Sequence, residues 1–212
     1  MLFATAETAS TEEGLQFMQQ FYPDTYQGES GLRIARTLER LFQYTTDDAL
    51  YVDFDVSYEN FFSGKAAMIP NGYWMMDQIP EEWQDKVRFS AFPENRLISS
   101  PETFGWAIVS SYSQEVKEGA AALLKLRTQM NMEQREELFE KNPDSLTQAE
   151  RDYIETYKSG PGLVPNYQVK WNSILQEETL GTILPDLAQG KISPEEFTRK
   201  EDKSIQEFLE EQ

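Results

Sequence analysis

Neither cysteine nor histidine occurs anywhere in this chain of 212 residues. No disulfide and no Cys/His zinc site can staple the fold. Thiol nucleophiles and Ser-His-Asp triads are excluded as well, because each needs a side chain the polymer lacks. Stability therefore has to come from burial. With 39% hydrophobic and 13% aromatic residues, the chain carries enough apolar material for one or two packed cores, far from the composition of a disordered polymer. A cysteine-free chain suits an oxidising exterior and a cytosol alike, so the absence does not choose a compartment.

Charge narrows the partners. Against 19 basic side chains stand 37 acidic ones, a formal net charge of −18. Such a surface repels phosphate backbones and anionic headgroups, which argues against nucleic acid and bare membrane surfaces and leaves neutral or cationic ligands. The opening "MLFATAETASTEEG" has no basic residue before its short apolar patch, so it reads as neither a signal peptide nor a membrane span.

Apolar spacing and caps predict a mostly helical chain. Ser10 and Glu13 stand at capping-box spacing ahead of Leu15, Phe17, Met18, Phe21 and Tyr22, a first helix ending before Pro23. Ala35, Leu38, Leu41 and Phe42 mark a second amphipathic helix. Alternation in "YVDFDV" reads as a strand with Asp53 and Asp55 on one face. No glycine and no later glutamate fall at calcium-loop spacing, so these are solvated edge charges and no metal site is expected. A short helix after Tyr58 stops at Gly64, "KAAMIP" is a short strand ending at Asn71-Gly72, and "YWMMDQIPEEW" opens the next helix. "KVRFSAF" and "FGWAIVSS" read as strands.

Beyond Ser113 the texture is helical. Ser113 caps a helix with Val116, Ala120, Leu123 and Leu124 on one face; Asn131 and Thr147 cap two further polar helices, separated at Asn142-Pro143 and ended by "SGPG". Trp171, Ile174, Leu175, Leu180, Ile183 and Leu184 form a helical stripe that Pro185 stops or kinks. In the last helix Ser193 is the cap, Pro194 takes the first position, Glu196 closes a capping box, and Phe197, Ile205, Phe208 and Leu209 are the buried side.

Two motifs carry a resemblance. The first is Phe62, Gly64, Lys65, Ala66, Ala67 and Met68, followed by Gly72 and Trp74; the second is Gly190, Lys191, Ser193, Pro194, Glu195 and Glu196. In this order they resemble the C-terminal half of the extracellular sugar-binding proteins of bacterial ABC importers, the maltose-binding-protein-like family. The resemblance implies an α/β, predominantly helical chain with few short strands, part of the two-lobe type II periplasmic-binding fold. Residues 1–96, with the Gly-Lys-Ala-Ala-Met and Asn-Gly-Tyr-Trp motifs, and residues 160–212 would belong to the second lobe, and 97–159 to the first. The first lobe's opening βαβ units, a signal peptide and a lipid-bearing cysteine are absent, so the resemblance implies a fragment. Its full-length form would be extracellular or periplasmic and membrane-tethered, with permease subunits as partners and no cofactor. A "FGWAIVSS" strand deprived of sheet neighbours would invite self-association.

The implied chemistry is binding without reaction. An aromatic ring covers an apolar C–H face of a sugar or oligosaccharide while polar groups satisfy its hydroxyls. Trp74, just past the Gly72 turn, is the implied platform, with Tyr73 and Asn71 as polar neighbours. Core packing is the ordinary role of such a tryptophan, and the family motif turns the reading toward a platform. Trp171 reads either as a second platform or as core; Trp83 and Trp106 read as structural, and Phe61, Phe62, Met75 and Met76 as core. An enzyme is not expected, since the adjacent pairs Glu81-Glu82 and Glu177-Glu178 point in different directions on a helix and cannot flank one glycosidic bond. The alternative from another class is a mostly helical protein-interaction or scaffold domain with an aromatic patch.

Overall fold

Most helices in this chain begin where a side chain accepts a hydrogen bond from a backbone N–H three residues on. The computed structural model describes residues 2–20, 22–46, 48–99, 108–166 and 173–211, and 64% of these described residues are helical. In chain order the helices are α1 (Leu2–Thr8), α2 (Glu12–Gln19), α3 (Glu29–Phe42), α4 (Phe54–Phe62), α5 (Gln114–Glu140), α6 (Gln148–Lys158), α7 (Ser173–Glu178), α8 (Leu184–Ala188) and α9 (Pro194–Glu210). Strands β1 (Arg96–Ser99) and β2 (Gly162–Pro165) pair in parallel, with Arg96 opposite Gly162 and Ile98 opposite Val164. The chain divides into two compact units, Met1–Met75 with Ala91–Thr103 and Gly160–Gln212, and Met76–Ser90 with Phe104–Ser159.

The larger unit is built around α9. Its buried residues Pro194, Phe197, Thr198, Glu201, Ser204, Ile205 and Phe208 recur every three or four positions and so share one face. Helices α3, α7 and α8 pack on α9, and the core joins Phe197 and Ile205 to Leu38, Leu175, Leu187 and Val164. Leu209, expected on the buried side, is exposed, because it falls outside this stripe. Asp202 ties the loop before α3 to the same helix: its carboxylate accepts from the Tyr26 N–H, from Thr25 Oγ1 at 2.6 Å and from Gln27 Nε2 at 2.8 Å. Between α7 and α8 lies a π turn, Thr179–Ile183. Pro185 does not stop the helix: it falls just after the π turn, in a helical run that continues from Ser173 to Ala188.

The smaller unit centres on Asp152 of α6, a buried carboxylate. It accepts from Arg88 Nε at 2.6 Å and Nη2 at 3.0 Å, from the Phe89 N–H at 3.1 Å and from Gln148 Nε2 at 2.8 Å. Burial by itself would raise its pKa, but these donors hold it below the ordinary carboxylate range. Phe89 meets Tyr153 edge to face at 5.4 Å. Thr147 and Glu150 form the complete capping box of α6, and the Phe139 ring at the end of α5 lies 5.3 Å from Tyr157.

Several expected elements take another form. "YVDFDV" is not a strand: Asp53 caps α4, its Oδ1 accepting from the Val56 N–H at 3.1 Å, and Asp55 sits in the first turn, where the helix dipole favours it. "KAAMIP" is irregular and joins no strand among the described residues, and "KVRFSAF" is unpaired except at its end, where Phe92 bridges antiparallel to Arg96 of β1, the two residues exchanging N–H to carbonyl bonds of 2.9 and 3.2 Å. In the second, alternation is met by packing, with Val87 buried and Phe89 and Arg88 turned onto α6 side chains. "YWMMDQIPEEW" makes two short 3₁₀ turns, Tyr73–Gln78 and Glu81–Trp83, because Pro80 supplies no N–H to carry one helix through. Thr11 rather than Ser10 caps α2; the Ser10 hydroxyl instead donates to the Glu7 carbonyl at 2.6 Å, closing an α1 that the sequence did not signal. No helix starts at Asn131, since α5 runs from Gln114 to Glu140 without a break. Glu196 pairs with Arg199 as Ser193 accepts from the Glu196 N–H. Of "FGWAIVSS", residues 104–107 lie outside the described residues, and Ile108 and Val109 are not in a strand. The α/β reading thus reduces, among the described residues, to a helical chain with one two-stranded parallel pair.

Candidate functional site

The Asn71-Gly72-Tyr73-Trp74 segment is fixed from two sides. Asn71 donates from Nδ2 to the Tyr58 hydroxyl on α4 at 3.2 Å, while its Oδ1 accepts from the Gly72 N–H at 2.8 Å. The Gly72 carbonyl then accepts from the Met75 N–H at 3.0 Å, which starts the 3₁₀ turn. Met75 is buried and anchors that turn. Tyr73 and Trp74 are left outside, 57% and 55% exposed, with ring centroids 5.9 Å apart at 66°.

A side chain at position 72 would have to displace the Trp74 ring. A Cβ there would lie 2.2 Å from Trp74 Cζ3 and 2.3 Å from Cη2, so the indole rests directly on the glycine backbone. Much of the residue meets solvent. A rigid aromatic platform presented this way loses little conformational entropy when a ligand lies on it.

The preceding motif is held to α4 by Asn60, a buried amide. Lys65 Nζ donates to Asn60 Oδ1 at 3.3 Å, and the Ala66 N–H donates to the Asn60 carbonyl at 2.9 Å. On its other side Asn60 Nδ2 lies 3.4 Å from Asp48 Oδ2. Hydrogen bonds from Thr46 and Asn60 hold the half-buried Asp48 carboxyl below its ordinary pKa. Gly64, at φ +79°, takes the left-handed conformation that ends α4. Met68 of the motif is exposed.

Of the residues singled out in the sequence, Asn71, Tyr73 and Trp74 come together on this turn, and Trp171 lies outside the described residues. Trp106 also lies outside them, and Trp83 is half-buried with Lys86 Nζ 5.2 Å from its ring centroid. Phe61 and Phe62 are half-buried and meet edge to face at 5.2 Å. Tyr58 was not foreseen: its bond to Asn71 crosses a loop, and no local spacing announces it. Among the described residues no group of three carboxylates could hold a metal ion, and no helix is long and apolar enough to cross a membrane. The chain matches no model of a known protein family, no curated protein and no solved structure.

Proposed function

We propose that this chain belongs to the substrate-binding component of an ABC importer and holds a sugar or oligosaccharide reversibly against Trp74. The observation that carries the reading is the indole seated on Gly72 with more than half of the residue open to solvent, beside an exposed tyrosine hydroxyl and an anchored amide. A flat apolar surface flanked by donors and acceptors suits a carbohydrate, whose C–H face and hydroxyl rim need both. Under this proposal the fold is part of the two-lobe type II periplasmic-binding layout, the protein works outside the cytoplasmic membrane, its partners are permease subunits, and it catalyses no reaction.

Titrating intrinsic tryptophan fluorescence with malto- and xylo-oligosaccharides tests the reading. A saturable change is expected in the wild type, weakened about tenfold or more in Trp74→Ala, the loss of roughly 1.4 kcal/mol of contact, and unaltered in Trp83→Phe. Equal titration of wild type and Trp74→Ala, or no saturable change with any sugar, would remove it.

One observation favours the interaction-domain reading. Helix α5 leaves Val116, Leu123, Leu126 and Met130 exposed, Leu123 at 65%, an apolar stripe over about four turns. On this reading the stripe drives self-association. Light scattering is then expected to show a mass rising with protein concentration, and Leu123→Glu to return it to the monomer. A wild-type chain that stays monomeric at high concentration counts against it.

A further inference from the structure

Helix α9 buries a carboxyl group. Glu201 is 1% exposed, in the middle of the stripe that faces α7 and the π turn. Its Oε2 accepts from Thr179 Oγ1 at 2.9 Å, and Thr179, itself buried, opens the π turn. Its Oε1 has no hydrogen-bond partner. One neutral donor and no cation are far too little to hold an ionised carboxylate out of water.

The charged groups acting on Glu201 are acidic. From α7 comes Glu178, whose Oε2 accepts from Ser204 Oγ at 2.8 Å; on α9 itself stands Asp202, turned to the Tyr26 loop. The π turn carries no charged residue. On the other packed helices, Arg36 of α3 is engaged by Glu195 at 3.2 Å, and Asp186 of α8 by Lys191 at 3.4 Å. Burial first, then repulsion from Glu178 and Asp202, outweigh the Thr179 hydrogen bond and push the Glu201 carboxyl up to about 8.

The partner element is an uncommon one. π turns are rare and occur mostly as single turns inside α-helices, frequently at functional sites. We propose that Glu201 is a proton-gated latch: neutral, it stays buried where α9 meets α7 and the π turn, and ionisation, which draws the carboxylate toward water, loosens α9 from α7 and α8. Absence of histidine and cysteine leaves no side chain of ordinary pKa to titrate between about pH 5.5 and 7.5, so a response there isolates this group.

The sign follows from linkage. The folded pKa lies above the unfolded one, so the contribution is complete below about pH 4, where both states keep the proton. It falls as pH rises through the interval up to about 8, because the unfolded chain releases a proton that the folded chain retains, and it is gone above that.

Denaturant unfolding across about pH 5.5 to 7.5 should show the wild-type folding constant falling about tenfold per pH unit. Glu201→Gln, similar in size and neutral throughout, should be flat, and amide exchange in α9, corrected for intrinsic rates, should quicken with pH only in the wild type. The infrared spectrum of the wild type near neutral pH should contain a protonated-carboxyl C=O band that disappears in alkali; this measurement decides the matter even if the glutamine variant does not fold. A flat wild-type profile, an equal slope in Glu201→Gln, or no such band overturns the latch.

Discussion

Truncating Phe197 to alanine is expected to destabilise the larger unit by about 3–5 kcal/mol. The ring is only 2% exposed and stands on the face of α9 that meets α3, α7 and α8. Removing it takes away both the transfer free energy of an aromatic side chain and the contacts of the atoms that lined it. Neighbours such as Leu38, Leu175 and Leu187 sit on separate helices and cannot all move in to fill the void. Amide exchange of α9 and α3 peptides under native conditions measures the effect: their opening free energy should drop by the full amount. A change below about 1 kcal/mol would mean that the ring is not a core element.

A second large effect comes from adding a single carbon. In a helix interior, glycine to alanine ordinarily stabilises by roughly 0.5–1 kcal/mol, because alanine loses less backbone entropy. Gly119, in the middle of α5, has nothing within 4 Å of the Cβ position, and Gly119→Ala should show that gain. Gly31 in α3 should reverse it. Its Cβ would stand 1.9 Å from the Tyr26 carbonyl oxygen and 2.6 Å from the carbonyl carbon. Those are backbone atoms of a loop that Asp202 pins through the Tyr26 N–H, so the clash has no cheap relief. Gly31→Ala is expected to cost about 3 kcal/mol, read as a lower urea midpoint with an unchanged slope, and equal behaviour of the two variants would refute this account of α3.

The candidate site was legible as far as its chemistry is local. Asn71, Gly72, Tyr73 and Trp74 adjoin in sequence, and a turn signal ahead of an aromatic pair places them together without long-range information. What fixes the pair could not be read there: the Tyr58 hydroxyl under Asn71, the contact of the indole with Gly72, and the burial of Met75 beneath the turn all depend on how α4 and the turn fold together. Glu201 shows the same limit in a stronger form. It stands four residues from both Phe197 and Ile205, which the sequence put on the buried side, but a glutamate in so acidic a chain reads as solvated until a neighbouring element is seen to close over it.

By itself the sequence determined where several of the helices start and where α4 stops. Ser113, Thr147 and Ser193 cap the helices they precede, and Gly64 ends α4 in the left-handed conformation; such interactions span about three residues and are complete within the local chain. Only the tertiary structure decided the fate of the extended segments. Arg96–Ser99 pairs with Gly162–Pro165 from far along the chain, whereas the better-patterned "KVRFSAF" turns Arg88 and Phe89 onto α6 and meets β1 only in the single bridge of Phe92 to Arg96. Alternation says that every second side chain is to be buried, but a strand also needs a second backbone to receive its hydrogen bonds, and that backbone is supplied by the fold.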